Sequence, residues 1–166
     1  MDFEISHAFD VPPERIAQVL LDQAFQESLG DIGALAEREV LEQKEGADGT
    51  VARRIRCVLD IEISGAAKRF LGDGPPAWIE EATWHPEAMS WSWTIHPEVA
   101  AELLTARGSI SIAEDGHAGL RVVSGLIKVG VPLYGSKVEG WILGGLESAY
   151  DDEADRLLEW LERENP

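Results

Sequence analysis

The sequence predicts an α+β fold, and three observations lead there. A long amphipathic segment closes the chain, about six segments of period-two hydrophobicity precede it, and two short helical pieces follow the first strand. Antiparallel runs with segregated helices define this class, whereas alternating βαβ units would not read this way.

Phe3, Ile5, His7 and Phe9 alternate with Glu4, Ser6, Ala8 and Asp10, the period of a half-buried strand. Pro12-Pro13 ends it and can open a helix whose apolar face is Ile16, Val19 and Leu20. A second helical piece covers Leu21 to Leu29, broken by Gly30 and Gly33. Glu37 to Lys44 is a strand candidate closed by the hairpin-type turn Gly46-Ala47-Asp48-Gly49. In the next strand Val51, Ile55, Cys57, Leu59, Ile61 and Ile63 share one face, and Arg53 falls among them. Gly65 to Asp73 reads as a helical turn or a loop folded onto the core, before the turn Gly72-Asp73-Gly74-Pro75-Pro76. Ala77 to His85 is a strand. In the next, Met89, Trp91, Trp93 and Ile95 face one way; then Leu104, Ala106, Gly108, Ile110 and Ile112 do the same. The last strand, Leu120 to Val129, is apolar on both parities, so its inner face is open.

The closing helix shows apolar residues at Val138, Trp141, Ile142, Gly145, Leu146, Ala149, Leu157, Trp160 and Leu161. Pro132 and the capping box Ser136-x-x-Glu139 mark its start. From Lys137 to Arg163 it would span about 27 residues, or roughly 40 Å. Gly140, Gly144 and Gly145 each cost ~0.5–1 kcal/mol against alanine. Either room for a ligand or close backbone approach would offset that cost.

The 166 residues are expected to form one domain, 1–166. A composition 45% hydrophobic and 27% charged excludes wholesale disorder. Lys+Arg 14 against Asp+Glu 31 gives a net charge of −17, which repels phosphate backbones, so no nucleic-acid partner is expected. The lone cysteine, Cys57, forms no intramolecular disulfide and reads as a buried thiol. No secretory signal or membrane-length apolar run is visible, so a cytoplasmic protein without membrane insertion is expected, a monomer or weak homodimer.

Three stretches carry a likeness: Ala66-Ala67-Lys68-Arg69-Phe70-Leu71, Glu81-Ala82-Thr83-Trp84, and Val131-Pro132-Leu133-Tyr134-Gly135-Ser136-Lys137-Val138-Glu139. With the element order, they make the chain resemble the START-like superfamily, also called SRPBCC or Bet v 1-like. Within it the chain resembles an uncharacterised bacterial family. The resemblance implies a helix-grip fold, a curved antiparallel sheet of about seven strands around the C-terminal helix. It also implies an apolar cavity between sheet and helix, and no particular chemistry. Nothing matches the iron-binding residues of the oxygenase branch.

On that reading the expected ligand is a small hydrophobic molecule of lipid, fatty acyl, sterol or polyketide class, held by a carrier or sensor. The alternatives are a cyclase- or dehydratase-like enzyme using the same cavity, or a pocketless interaction module. Expected wall residues are Ile55, Cys57, Trp78, Trp91, Trp93, Tyr134, Val138, Trp141, Ile142 and Gly145, with Trp84 nearby and Tyr134 as a gate. Possible polar anchors are Arg53, Glu80 and His7, which share parity with apolar neighbours. An inward Arg53 would need Glu80 or a ligand carboxylate as partner; a position at the strand's wet end is the simpler alternative. No cofactor or metal is implied, because His7, His85, His96 and His117 are scattered and no phosphate-binding glycine loop occurs. Asp151, Asp152, Glu153 and Asp155 read as a solvated charge run.

Overall fold

The computed structural model describes residues 1–62, 65, 68–69 and 72–164. Strand β1 (Asp2–Phe9) leads into helices α1 (Pro13–Leu21) and α2 (Gln23–Glu27). Then come β2 (Leu35–Glu45), β3 (Val51–Leu59), β4 (Ala77–His85) and β5 (Ser90–Pro97). After a single 3-10 turn at Ala101–Leu103 come β6 (Leu104–Asp115), β7 (Ala118–Val129) and the 30-residue helix α3 (Gly135–Glu164). Within the stretch Gly65 to Asp73, Gly65, Lys68 and Arg69 are helical and the Gly72 amide donates to the Lys68 carbonyl at 3.0 Å. Ala66, Ala67, Phe70 and Leu71, and Ile63 at the expected strand end, lie outside the described residues.

The strands form one 7-stranded antiparallel sheet in the order β1-β7-β6-β5-β4-β3-β2. The β2-to-β7 meander is unbroken, and α1 and α2 carry the chain from one sheet edge to the other. Helix α3 lies against β7, β1 and α1, so the sheet curls around it. The bend has a visible cause at the paired Gly108 and Gly125. A Cβ on Gly108 would sit 2.0 Å from the Ser124 carbonyl oxygen and 2.7 Å from Trp93 Cζ2. Without side chains there, Trp93 lies across both glycines towards Phe3, with ring centroids 6.2 Å apart. The inner parity of β7, open in the sequence, is Gly119, Arg121, Val123, Gly125 and Ile127, with Arg121, Val123 and Ile127 all at 0% exposure.

The dense part of the core lies at one end. Ile16, Val19 and Leu20 of α1, Phe25 of α2 and Leu29 pack under Leu157, Trp160 and Leu161 of α3. Phe25 and Trp160 meet edge to face at 5.6 Å. The two short helices would be unstable alone, and sheet side chains finish their C-terminal ends. Arg53 Nη2 donates to the Leu20 carbonyl at 2.8 Å, and Gln43 Nε2 to that of Leu21 at 2.9 Å. Arg38 donates to the Gln26 carbonyl and, at 2.6 Å, to Gln26 Oε1.

Several expectations are corrected. Strand β3 stops at Leu59, and Ile61 is 47% exposed. Helix α3 begins at Gly135, after Pro132, and the Ser136–Glu139 capping box is not formed. Glu139 instead accepts the Val129 amide at 2.9 Å and pairs with the N-terminal amine at 3.6 Å. That ties the N-terminus to the β7–α3 corner. The buried face of α3 is rotated from the expected one, because its anchors include Glu153 and Ala154 as well as Leu157 and Leu161. With roughly 3.6 residues per turn, Trp141 stands opposite Leu157 and is 64% exposed. Gly140, Gly144 and Gly145 have open space around them: a Cβ on any of them would meet nothing within 4 Å, so close approach does not explain them.

The acidic run is not simply solvated. Asp152 accepts the Gly33 amide at 2.7 Å and Asp151 bonds His7 at 2.8 Å. Glu153 is buried against Arg121. Arg53 is not at a wet strand end either: it is 5% exposed and stacks 4.4 Å over the Trp91 ring.

Candidate ligand-binding groove

The concave face of the sheet is built in cross-strand rows, because antiparallel register places directly opposed residues on the same side. One row runs Val40, Ile55, Glu80, Ile95, Ala106 and Ile127. Glu80 is the single ionisable residue in it. No hydrogen bond or ion pair from another described residue reaches its carboxylate, and its oxygens are not sealed by packing. Glu80 is half-buried, and its carboxylate keeps surface that no protein group covers.

Burial raises the Glu80 pKa and Glu153 adds to it; Arg38 and Arg53 pull it down without cancelling the effect. The carboxyl therefore holds its proton more tightly than an exposed glutamate does. Tyr150, on α3, shares this environment. Burial, then the negative charges of Glu80 and Glu153, push its hydroxyl well above the usual value, and the hydroxyl has no protein partner among the described residues. Cys57 sits two residues from Ile55 on the same face, its thiol pushed up to about 12 by burial and by Glu80. That leaves it protonated and unreactive.

The other two expected anchors are engaged. Arg53 bonds Gln43 Oε1 at 2.8 Å as well as the Leu20 carbonyl, and burial lowers its pKa to about 10 against the opposing pull of Glu80. His7 lies between Arg121 Nη2, at 3.0 Å from Nδ1, and Asp151 at Nε2. A guanidinium can only donate, so Nδ1 accepts and Nε2 carries the proton. Arg121 also donates to Glu153 and, at 3.0 Å, to the Tyr150 carbonyl. This arrangement clamps α3 onto β7 and β1.

Ile55, Cys57, Trp91 and Trp93 lie buried on the concave face with Glu80, and Trp78 is partly buried beside them. Val138 and Ile142 are half-buried on α3. Tyr134 (61% exposed), Trp141 and Gly145 lie outside this gathering. Lys137 Nζ sits 5.6 Å from the Trp141 ring on the outer surface. Sequence reasoning does not single out Tyr150, Arg38, Arg121 or Glu153 as site residues. Only the helical spacing of Tyr150 from Leu146 and Leu157 points inward.

From Ser136 to Asp152 no residue of α3 is fully buried, whereas Glu153, Ala154, Leu157 and Leu161 are. The helix is thus anchored by its second half. A cleft of about 300 Å³ opens at the β2–β3 hairpin between Leu21, Gln23, Gln43, Glu45, Gly49, Val51 and Trp84. A broader depression of about 710 Å³, bordered by Ser92, Thr94 and Arg107, gathers no buried ionisable group. Among the described residues no cluster of three His, Cys, Asp or Glu could hold a metal, and no helix is long and apolar enough to cross a membrane.

A curled antiparallel sheet gripping a C-terminal helix, with short helices after the first strand, is the helix-grip fold of START-like and Bet v 1-like proteins. Residues 4–161 match the family described as protein of unknown function DUF2505, and the chain belongs to that family. Similar solved structures agree on the fold. A protein from Thermus thermophilus superposes with a TM-score of 0.67 at 18% identity, covering 96% of this chain and 98% of that one. The Zhui aromatase/cyclase from a Streptomyces species gives 0.64 at 14% identity, covering 98% and 94%. A START superfamily protein from Mycobacterium smegmatis gives 0.58 at 16%, covering 94% and 98%. No curated protein matches the chain.

Proposed function

We propose that the protein binds a small, largely apolar molecule between the concave sheet face and the first half of α3, acting as carrier or sensor in the cytoplasm. The observation that carries this reading is Glu80, a half-buried carboxyl on the concave face left without a protein partner inside an apolar row. Burying such a group unsatisfied costs about 1–3 kcal/mol, which a bound molecule can offset by supplying the missing hydrogen bond. The tryptophans on the same face offer flat apolar walls. The partly buried first half of α3 can move to admit a ligand without disturbing the anchored half.

An enzyme of the cyclase type is the weaker reading for this chain. It needs two interior polar groups within hydrogen-bond reach of each other. Arg53 and His7 are both committed to other partners, leaving Glu80 without either. The likeness to an aromatase/cyclase is one of fold only.

Native mass spectrometry of the purified protein, with a fluorescence titration of a naphthalene probe, tests the proposal. One-to-one saturable binding that alters tryptophan emission is expected. A protein that carries no small molecule and binds the probe without saturation would overturn it.

A further inference from the structure

The interior polar groups are unevenly matched. The buried side-chain atoms without a partner among the described residues are Trp93 Nε1 and Arg121 Nε, both donors. Trp93 is diagonal to Glu80 on the same face, since Glu80 opposes Ile95 and Ala82 opposes Trp93. Charge is uneven too. Three guanidiniums, of Arg38, Arg53 and Arg121, approach this space, and the second interior carboxylate, Glu153, is taken by Arg121. With Glu80 protonated, the unmatched buried atoms are donors and the guanidiniums outnumber the carboxylates, so this space accepts an oxygen acceptor more readily than an ammonium group.

Resting on the binding reading above, we infer that the Glu80 carboxyl donates a hydrogen bond to a carbonyl-type oxygen of the bound molecule. The ligand is therefore an apolar body bearing a ketone, ester or carboxylate, and amines are excluded. The raised proton affinity of Glu80 agrees with this, because a carboxyl must be protonated to donate. Its neighbours in the apolar row, Ile55 and Ile95, supply no competing acceptor from their side chains. The same geometry places the oxygen of the ligand at the middle of the sheet and its hydrocarbon body along the tryptophan wall.

The test holds the apolar body constant. 2-Ethylnaphthalene, 2-acetylnaphthalene, 2-naphthoate and 1-(2-naphthyl)ethylamine are titrated into the wild-type protein, Glu80→Gln and Glu80→Leu, each checked by circular dichroism. The ketone is expected to bind about tenfold more tightly than the hydrocarbon in wild type, the size of one buried hydrogen bond. Glu80→Gln, whose amide still donates, keeps that preference; Glu80→Leu abolishes it. Naphthoate above ketone identifies a carboxylate ligand, and the reverse identifies a neutral carbonyl; either supports the inference. The amine binding most tightly overturns it, as does equal binding of ketone and hydrocarbon in wild type. If none of the four compounds binds wild type, the groove reading fails and the inference with it.

Discussion

The ion pair between Arg121 and Glu153 gives the sharpest quantitative expectation. Arg121 is wholly buried on β7, with the Phe9 ring 5.8 Å and the Tyr150 ring 5.5 Å from its guanidinium carbon. Its charge is met by Glu153, whose side chain is only 11% exposed, while His7 Nδ1 and the Tyr150 carbonyl accept as neutral groups. Glu153→Ala would leave a buried cation with two neutral acceptors and no counter-charge. Removing one partner of such a pair costs about 3–5 kcal/mol, or roughly 6–20 °C in Tm for a chain of this size. Replacing both, as Arg121→Met with Glu153→Leu, should lie within about 1–2 kcal/mol of wild type, because the desolvation penalty disappears with the attraction. Urea denaturation followed by tryptophan fluorescence reads all three proteins, and the double-mutant cycle isolates the coupling. A loss below ~1 kcal/mol for Glu153→Ala, or simple additivity of the two changes, would refute the claim that this pair anchors α3. Asp151→Ala is the control: its carboxylate is 69% exposed, so losing its bond to His7 should cost only about 0–1 kcal/mol.

Three further outcomes follow from the packing. Gly140, Gly144 and Gly145 sit in a helix with open space where each Cβ would go, so replacing all three by alanine should stabilise by about 1.5–3 kcal/mol; a loss in thermal denaturation would show that something covers this face in solution. Gly108→Ala should destabilise by about 3 kcal/mol or more, since the new Cβ meets the backbone oxygen of Ser124 at 2.0 Å and strands β6 and β7 would have to part; near-native stability in urea would contradict the glycine-dependent bend. Glu80→Leu should be more stable than wild type, in a pH-dependent way. Because the Glu80 pKa is raised in the folded state, its protonated form favours folding fully below the unfolded value, and that contribution is lost as pH climbs through the folded value. The groups facing it (Arg38, Arg53, Cys57, Tyr150 and Glu153) remain in the variant. The gain should therefore be small near pH 4 and reach about 1–3 kcal/mol near pH 8; a gain independent of pH would mean the carboxyl is solvated.

The architecture is readable because period-two segments with strong turns leave few arrangements. Trp91 and Trp93 alternating with Ser92 and Thr94 mark the inner face of β5 without ambiguity. Strand β7 is not decidable from sequence: Leu120, Val122 and Leu126 are as apolar as Val123 and Ile127, and the inner parity also carries an arginine. Hydropathy scores Arg121 as outward and cannot see that Glu153, 32 positions on, meets it from α3. The same blindness rotates the helix face. Trp141 counts as a large apolar residue, yet it lies on the outer side because Glu153 and Ala154, weak hydrophobic signals, are the ones buried. Glu80 is visible by parity alone; Tyr150 escapes notice because its neighbours Asp151 and Asp152 make that turn look solvated.

These errors share a physical origin that also bears on how the protein works. In α3 the polar attachments are concentrated in the second half, where Arg121 meets Glu153, His7 meets Asp151, the Gly33 amide meets Asp152, and Arg156 reaches the Ser28 carbonyl and, at 3.0 Å, Asp31; the first half has Glu139, on the Val129 amide and the N-terminal amine. The first half carries glycines with free space around them and, from Ser136 onward, no fully buried side chain. A helix held through its last turns by hydrogen bonds can leave its opening turns loosely packed without risk to the fold. Hydrophobic periodicity alone would instead seal the whole length against the sheet. The division keeps stability away from the region where Glu80 lacks a partner, which is the condition for a carrier that opens to a ligand without unfolding.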